Sequence, residues 1–76
     1  MQIESGKIYR HFKGDYYVVV GIAQHTGSDV ELVVYHPLQE PDELFARPLH
    51  TFFEEVKPHG YGKQSIRFVP VERETI

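Results

Sequence analysis

The sequence contains no cysteine, so the chain can form neither a disulfide nor a thiolate metal site. A chain of 76 residues buries only about 60% of the surface that its unfolded form exposes. Its stability must therefore come from an apolar core. We expect most of its five tyrosines and five phenylalanines to be at least partly buried.

Targeting and membrane signals are also missing. No apolar run approaches the roughly 20 residues that a membrane-spanning helix needs. Residues 1–5 do not have the basic-then-apolar layout of a signal peptide. From these observations we expect a soluble, cytoplasmic protein without membrane association.

Patterns that carry metal binding or catalysis are equally scarce. The histidines stand at His11, His25, His36, His50 and His59, with no close pair such as His-x-His. A site could assemble only in space, for example from His25, His36 and Asp29, so we predict no metal and no cofactor. The serines and threonines have no nucleophile elbow, and no Gly-rich loop could cradle a phosphate. The sequence therefore predicts that the chain is not an enzyme.

The chain also lacks an excess of positive charge. Its formal net charge is -3, whereas a protein that binds nucleic acid usually carries a basic surface. The distribution of the charge is uneven. Residues 6–14 contain four basic or histidine side chains and no acid, whereas residues 40–55 contain five acids against Arg47 alone. The simple interpretation is solubilising charge, and the functional one is a weak bipolar field that orients a partner.

What the sequence does contain is a β-hairpin at residues 15–38. Two runs rich in Val, Ile and Tyr flank a polar break whose Gly-Ser-Asp segment is typical of a turn. Gly21 predicts a bend or bulge in the first arm. Further strands are predicted at residues 6–14, 44–47 and 66–70, and the apolar spacing of residues 49–56 predicts one or two helical turns.

These elements predict a single domain over residues 1–76. The barrel would span residues 6–70, and residues 1–5 and 71–76 would be loose termini. About five short strands with one short helical turn favour a mostly β fold, a small SH3-like barrel, because closure of the sheet protects its edges. A partly open OB-type barrel is the alternative, although the chain is short for it.

Several sequence blocks occur together in one order. They are Gly6-x-x-Tyr9-x-His11-Phe12-Lys13-Gly14, Tyr17, Gly21-Ile22-Ala23, His25, Glu31-Leu32-Val33-Val34-Tyr35, Arg47-Pro48-Leu49, Phe52 and Arg67-Phe68. From residue 6 to residue 68 the chain thereby resembles domain of unknown function 1653, a family of small bacterial domains. The resemblance implies an SH3-type barrel and a bacterial source, and it implies no function. The chain departs from the family at His36, at Phe45 and in a longer loop at residues 57–65.

The candidate binding site consists of Tyr9, His11, Tyr35, Phe45 and Arg47. The first two residues share one strand face by period-two alternation, and so do the last two. Together they would offer aromatic surface, one permanent cation and one group that titrates near neutral pH, which suits a ligand that carries a carboxylate. In the structural alternative, Arg47 pairs with Glu54 or Glu55 and the tyrosines are core residues.

The sequence leaves two functions open. The first is a protein- or peptide-interaction module that binds in an aromatic and arginine-containing groove. The alternative is a single-stranded nucleic-acid-binding module that uses the basic segment from Lys7 to Lys13 with exposed tyrosines. Small-molecule recognition is a third, less supported possibility.

Overall fold

The computed structural model describes residues 3–76 and contains five antiparallel strands in one sheet. The strands are β1 (Ile8–His11), β2 (Tyr16–Gln24), β3 (Glu31–Pro37), β4 (Phe45–Pro48) and β5 (Phe68–Val71). One helical turn, α1 (Leu49–Phe52), follows β4 directly, and a 3₁₀ turn at Arg73–Thr75 follows β5. The predicted mostly β fold with one short helical turn is confirmed.

The central hairpin forms as predicted, since β2 and β3 are antiparallel neighbours. Val19 lies opposite Tyr35, and Gly21, two residues further along β2, lies opposite Val34, which is only one residue from Tyr35. Val20 is therefore the extra residue of a β-bulge, and its side chain is 48% exposed. The bulge predicted at Gly21 is confirmed. It shifts the register of the pair by one residue, so that Ile22 and not Gly21 lies opposite the buried Val33.

The strand order is β4-β3-β2-β1-β5, so β4 and β5 stand at opposite ends of the sheet. Four spacings of about 4.8 Å would hold these strands about 19 Å apart in a flat sheet. The Arg47 guanidinium carbon on β4 nevertheless lies 5.9 Å from the ring centroid of Phe68 on β5. The sheet therefore curls until its two ends face each other. This strand order, with a short helix between β4 and β5, is that of an SH3-like barrel.

The core fills the inside of this curled sheet. Its buried members are Tyr9, Val19, Val33, Tyr35, Phe52 and Phe68. Phe52, the last residue of α1, stacks on Phe68 with ring centroids 4.1 Å apart and an interplanar angle of 2°. The single turn of α1 is long enough to insert Phe52, and Leu49 and Phe53 pack around it. After Phe53 the chain extends and forms an isolated bridge between Glu55 and Ile66, so the second helical turn is not formed.

Both predicted loose termini make contacts with the barrel. Ile3 packs against the core, and the Ser5 hydroxyl donates a 2.8 Å hydrogen bond to the carbonyl of Val20. At the other end, Lys7 forms a 3.3 Å ion pair with Glu72. Residues 1 and 2 lie outside the described part of the chain. Within residues 3–76, the structure shows no helix of the length and apolarity needed to cross a membrane.

Candidate functional site

Four of the five predicted site residues lie together: three surround the ring of Phe68, and the fourth, Phe45, contacts one of those three. His11 of β1 and Tyr35 of β3 have ring centroids 4.9 Å and 5.3 Å from that of Phe68. Phe45 of β4 lies 5.7 Å from Tyr35, and the Arg47 guanidinium lies above Phe68. The curl of the sheet brings these side chains from three strands together. Local sequence spacing alone could not have shown this convergence.

Tyr9, the fifth predicted residue, lies apart from the other four. Its ring contacts Phe52 at 5.2 Å and Phe53 at 6.3 Å, and the side chain is only 2% exposed. Burial, with a smaller contribution from Glu4, raises the pKa of the Tyr9 hydroxyl. Tyr9 therefore packs in the part of the core that faces α1.

Arg47 holds its position without a carboxylate. Its Nε donates a 3.3 Å hydrogen bond to the hydroxyl of Tyr35. The acid that could have neutralised it, Glu54, instead accepts a 2.9 Å hydrogen bond from Nε of Arg67. Within residues 3–76 no ion pair involves Arg47. The pairing of Arg47 with Glu54 or Glu55 is thus not observed, and this partly exposed residue has no carboxylate within ion-pair distance in the described part of the chain.

His11 lies beside this charge as a neutral ring. The backbone N–H of Lys13 donates to His11 Nδ1 at 3.2 Å, which places the proton of the neutral ring on Nε2. Burial lowers the pKa of His11, and the positive charges of Arg67, Arg47 and Lys13 lower it further. His11 therefore offers an Nε2–H donor near neutral pH.

The sequence analysis did not include Tyr17 in the site. The ring of this β2 residue lies 5.5 Å from Tyr35, 6.2 Å from His11 and 5.7 Å from Phe68. Tyr17 is only partly buried, so it contributes aromatic surface. A signal was available, because the short turn after β1 places Tyr17 opposite Tyr9, on the same face as His11. We name His11, Tyr17, Tyr35, Phe45 and Arg47 the Arg47 cluster.

An open groove of about 510 Å³ adjoins the Arg47 cluster. It lies between the β1–β2 turn and the segment that connects β3 to β4. Three aromatic and three acidic side chains contribute to its lining, namely Tyr16, Tyr17, Phe45, Asp15, Glu40 and Glu43. We name it the acidic groove. Tyr17 and Phe45 belong to both the groove and the cluster.

The basic segment proposed for nucleic acid is less open than the sequence suggested. Lys7 is paired with Glu72, and Tyr9 is buried. The Lys13 ammonium lies 5.8 Å from the ring centroid of Phe12. The fully exposed tyrosine is Tyr61, which belongs to a different segment, the loop of residues 57–65. Nucleic-acid binding stays a prediction that these contacts do not favour.

The two histidines that could have joined Asp29 in a metal site form hydrogen bonds with nearby backbone atoms instead. His25 Nδ1 accepts a 3.0 Å hydrogen bond from the backbone N–H of Gly27 within its own turn. A ring nitrogen of His36 lies 2.7 Å from the carbonyl oxygen of Pro37. Across residues 3–76 the structure contains no group of three or more His, Asp or Glu residues that could hold a metal ion.

Comparison with known proteins bears on the family. No curated protein and no solved structure matches the chain. A family model described as "Protein of unknown function (DUF1653)" matches residues 7–70, which is nearly the whole chain and includes all of β1, β2, β3 and β4. This match confirms the resemblance drawn from the sequence blocks. The chain therefore belongs to the DUF1653 family of proteins of unknown function.

Proposed function

We propose that this domain is a protein-interaction module that binds a peptide segment of its partner at the Arg47 cluster. The observation that carries the proposal is the state of Arg47. Arg47 is a partly exposed residue whose guanidinium is positioned by Tyr35 and Phe68 and forms no ion pair within residues 3–76. An arginine held in one geometry with its charge uncompensated is suited to bind a carboxylate.

The neighbouring side chains would add to carboxylate binding. His11 contributes a neutral N–H donor, and Lys13 and Arg67 lie close enough to influence its pKa. A carboxylate at this place would therefore meet one fixed cation, one hydrogen-bond donor and a positive surrounding potential. Because Arg47 is already oriented, little of its side-chain entropy would be lost on binding.

Aromatic surface favours a peptide over a small anion. Phe45 is 38% exposed and Tyr17 is partly exposed, and both rings contact Tyr35, whose hydroxyl accepts the hydrogen bond from Arg47. Partially exposed aromatic side chains beside an arginine are typical of the centres of protein interfaces. An acidic residue with an apolar neighbour would use both features.

The acidic groove argues against single-stranded nucleic acid at the same surface. Asp15, Glu40 and Glu43 line the groove that Tyr17 and Phe45 share. A nucleic-acid strand whose bases stacked on these rings would bring its phosphates next to three carboxylates. A peptide that directs a single carboxylate to Arg47 brings much less negative charge near these acids.

Selection from a phage-displayed random-peptide library tests the proposal. The domain, the Arg47→Gln variant and an Arg73→Gln variant would be used as parallel baits. Arg73 is an exposed arginine in the C-terminal 3₁₀ turn, so its replacement removes the same charge elsewhere. We expect peptides with Asp or Glu to be enriched by the domain and by Arg73→Gln, and not by Arg47→Gln.

The binding position is then mapped with a synthetic copy of the most enriched peptide. In ¹H–¹⁵N spectra we expect its largest shifts at residues of β1, β3 and β4 around Arg47. No enrichment by the domain, or equal enrichment of the same peptides by Arg47→Gln, would contradict the proposed function. Shifts confined to the loop of residues 57–65 would contradict the proposed site.

A further inference from the structure

Charged side chains around Tyr17 and Phe45 are separated by sign. On the side of the Arg47 cluster, Arg47, Arg67 and Lys13 each lower the pKa of His11, and together they outweigh the raising effect of Asp15, the one groove acid that also reaches this ring. On the opposite side, Asp15, Glu40 and Glu43 line the acidic groove. The two signs thus meet across the same aromatic rings.

The rings make the two sides one continuous surface. Tyr17 lines the acidic groove and also contacts His11 and Tyr35 of the Arg47 cluster. Phe45 lines the groove and contacts Tyr35, whose hydroxyl accepts the Arg47 hydrogen bond. An extended chain that crosses Tyr17 and Phe45 would therefore pass from the positive side to the negative side.

We infer that the partner segment carries two opposite charges, an acidic side chain for Arg47 and a Lys or Arg side chain for the acidic groove. Apolar parts of the segment lie over Tyr17 and Phe45 between the two charges. This inference rests on the proposed function and adds the chemistry of the partner to it.

The acidic groove has the composition that binds an organic cation. Tyr16, Tyr17 and Phe45 present aromatic surface, which attracts Lys or Arg, and the nearby carboxylates add charge attraction. Glu40 is close enough to hydrogen-bond Glu43 and, by this bond and its charge, raises the pKa of Glu43. A cation in the groove would relieve the repulsion between these two acids.

Tyr17 lies between the two groups of charges, and its pKa responds to both. Burial raises the pKa of its hydroxyl, and the charges of Asp15 and Glu43 raise it further, whereas Arg47 lowers it. Tyr17 is therefore within electrostatic reach of both groups. A partner that neutralises either group would change the environment of this one ring.

A second copy of this chain is the other occupant to consider, since its residues 6–14 are basic and its residues 40–55 are acidic. In such a dimer, the basic segment of each copy would have to enter the acidic groove of the other. In each copy, however, β1 within the basic segment is paired on both sides, with β2 and β5, and Lys7 forms an ion pair with Glu72. We therefore favour a segment of another protein. Sedimentation of the domain alone separates these two occupants.

The experiment uses a synthetic copy of the most enriched library peptide and two altered copies. In one copy the basic residue is replaced by norleucine, and in the other the acidic residue is replaced by Gln. Each is titrated at low salt against the domain, against Arg47→Gln, and against a variant that combines Asp15→Asn with Glu43→Gln. The control is Glu74→Gln, which removes an exposed acid in the C-terminal turn. Unfolding midpoints check that every variant is folded.

We expect loss of the peptide's basic residue to weaken binding to the domain and to Glu74→Gln by about tenfold, a change that ion pairs of this kind produce. The same loss should have little effect on the Asp15→Asn and Glu43→Gln variant. Loss of the acidic residue should likewise have little effect on Arg47→Gln.

Enriched peptides that bind at the Arg47 cluster but carry no basic residue would overturn the inference and leave the proposed function standing. The same holds if the basic residue matters equally to the doubly substituted groove variant. Absence of any enriched peptide would contradict both. A dimer of the domain that Arg47→Gln dissociates would also overturn the inference, because the occupant would then be a second copy.

Discussion

Replacement of Phe68 by alanine should cost more stability than most single changes in this chain. Phe68 is 1% exposed and is the only residue of β5 in the buried core described here. Its ring stacks on Phe52 and contacts His11 and Tyr35 edge-on. One substitution therefore removes contacts with α1, β1 and β3 at once.

The magnitude follows from burial and from these ring pairs. Removal of a buried phenylalanine ring costs about 3–5 kcal/mol, including the cavity that remains. A domain of 76 residues has about 4–11 kcal/mol of stability in total. The Phe68→Ala variant should therefore be marginally folded or unfolded at room temperature. Phe68→Leu, which keeps most of the volume, should cost about 1.5 kcal/mol or less.

Urea unfolding followed by tyrosine fluorescence measures these changes. With a slope near 1 kcal/mol/M, about the lower end for small proteins, Phe68→Leu should lower the midpoint by about 1 M. Tyr61→Leu changes a fully exposed ring and should stay within about 0.5 kcal/mol of the parent. A double-mutant cycle with Phe52→Leu should show coupling of about 1 kcal/mol. Equal midpoints for Phe68→Leu and Tyr61→Leu would refute the account of the core.

Three further changes test other parts of the structure. Gln64→Ala removes the side-chain amide that donates to the carbonyl of Arg10 at 2.9 Å, and should cost about 1–2 kcal/mol in urea unfolding. Arg67→Gln breaks the contact with Glu54, a partly exposed pair, and should cost up to about 1 kcal/mol, a loss that about 1 M salt should reduce. The pKa of His11 in the folded state lies below its ordinary 6.5, so the unfolded chain binds protons more readily. Stability should therefore fall as the pH drops from about 7.5 to 5.5, and His11→Asn should make thermal unfolding less dependent on pH over that range. An equal pH dependence in that variant would show that His11 is not responsible.

The strands and the bulge could be predicted from the sequence because their signals are local. Two apolar runs flank a polar break within residues 15–38, and Gly21 interrupts the first run where the bulge forms. The inward face of β1 could not be predicted, since Ile8 and Tyr9 are adjacent and both are buried. Period-two alternation decides a face only when one face remains exposed.

The partner of Arg47 could not be predicted because it depends on the path of the chain after α1. In sequence, Glu54 is closer to Arg47 than to Arg67. In space, the backbone N–H of Arg67 donates to the carbonyl of Glu54 at 2.9 Å, which aligns their side chains for the ion pair. Arg47 instead hydrogen-bonds Tyr35, its diagonal neighbour in the β3–β4 pair, two residues from its direct partner Val33.

The candidate cluster could be predicted only in part, because its contacts also depend on the path of the chain in space. His11, Tyr35, Phe45 and Arg47 were identified from residue type and strand position, and the curled sheet brings them together. Tyr17 was missed although its pairing opposite Tyr9 places it on the face of His11; only its ring contacts with His11 and Tyr35 depend on the curl of the sheet.

The most direct test of the central claim measures binding and stability of Arg47→Gln on the same sample, with Tyr35→Phe as its companion. The probe is the synthetic copy of the most enriched library peptide. We predict that Arg47→Gln loses about tenfold or more in affinity while its urea midpoint stays within about 0.5 M of the parent. Tyr35→Phe, which removes the hydroxyl that positions Arg47, should lose a smaller part of the affinity. Clearly lower midpoints for both variants, with normal binding by the folded protein, would contradict the account and show that these residues only stabilise the barrel.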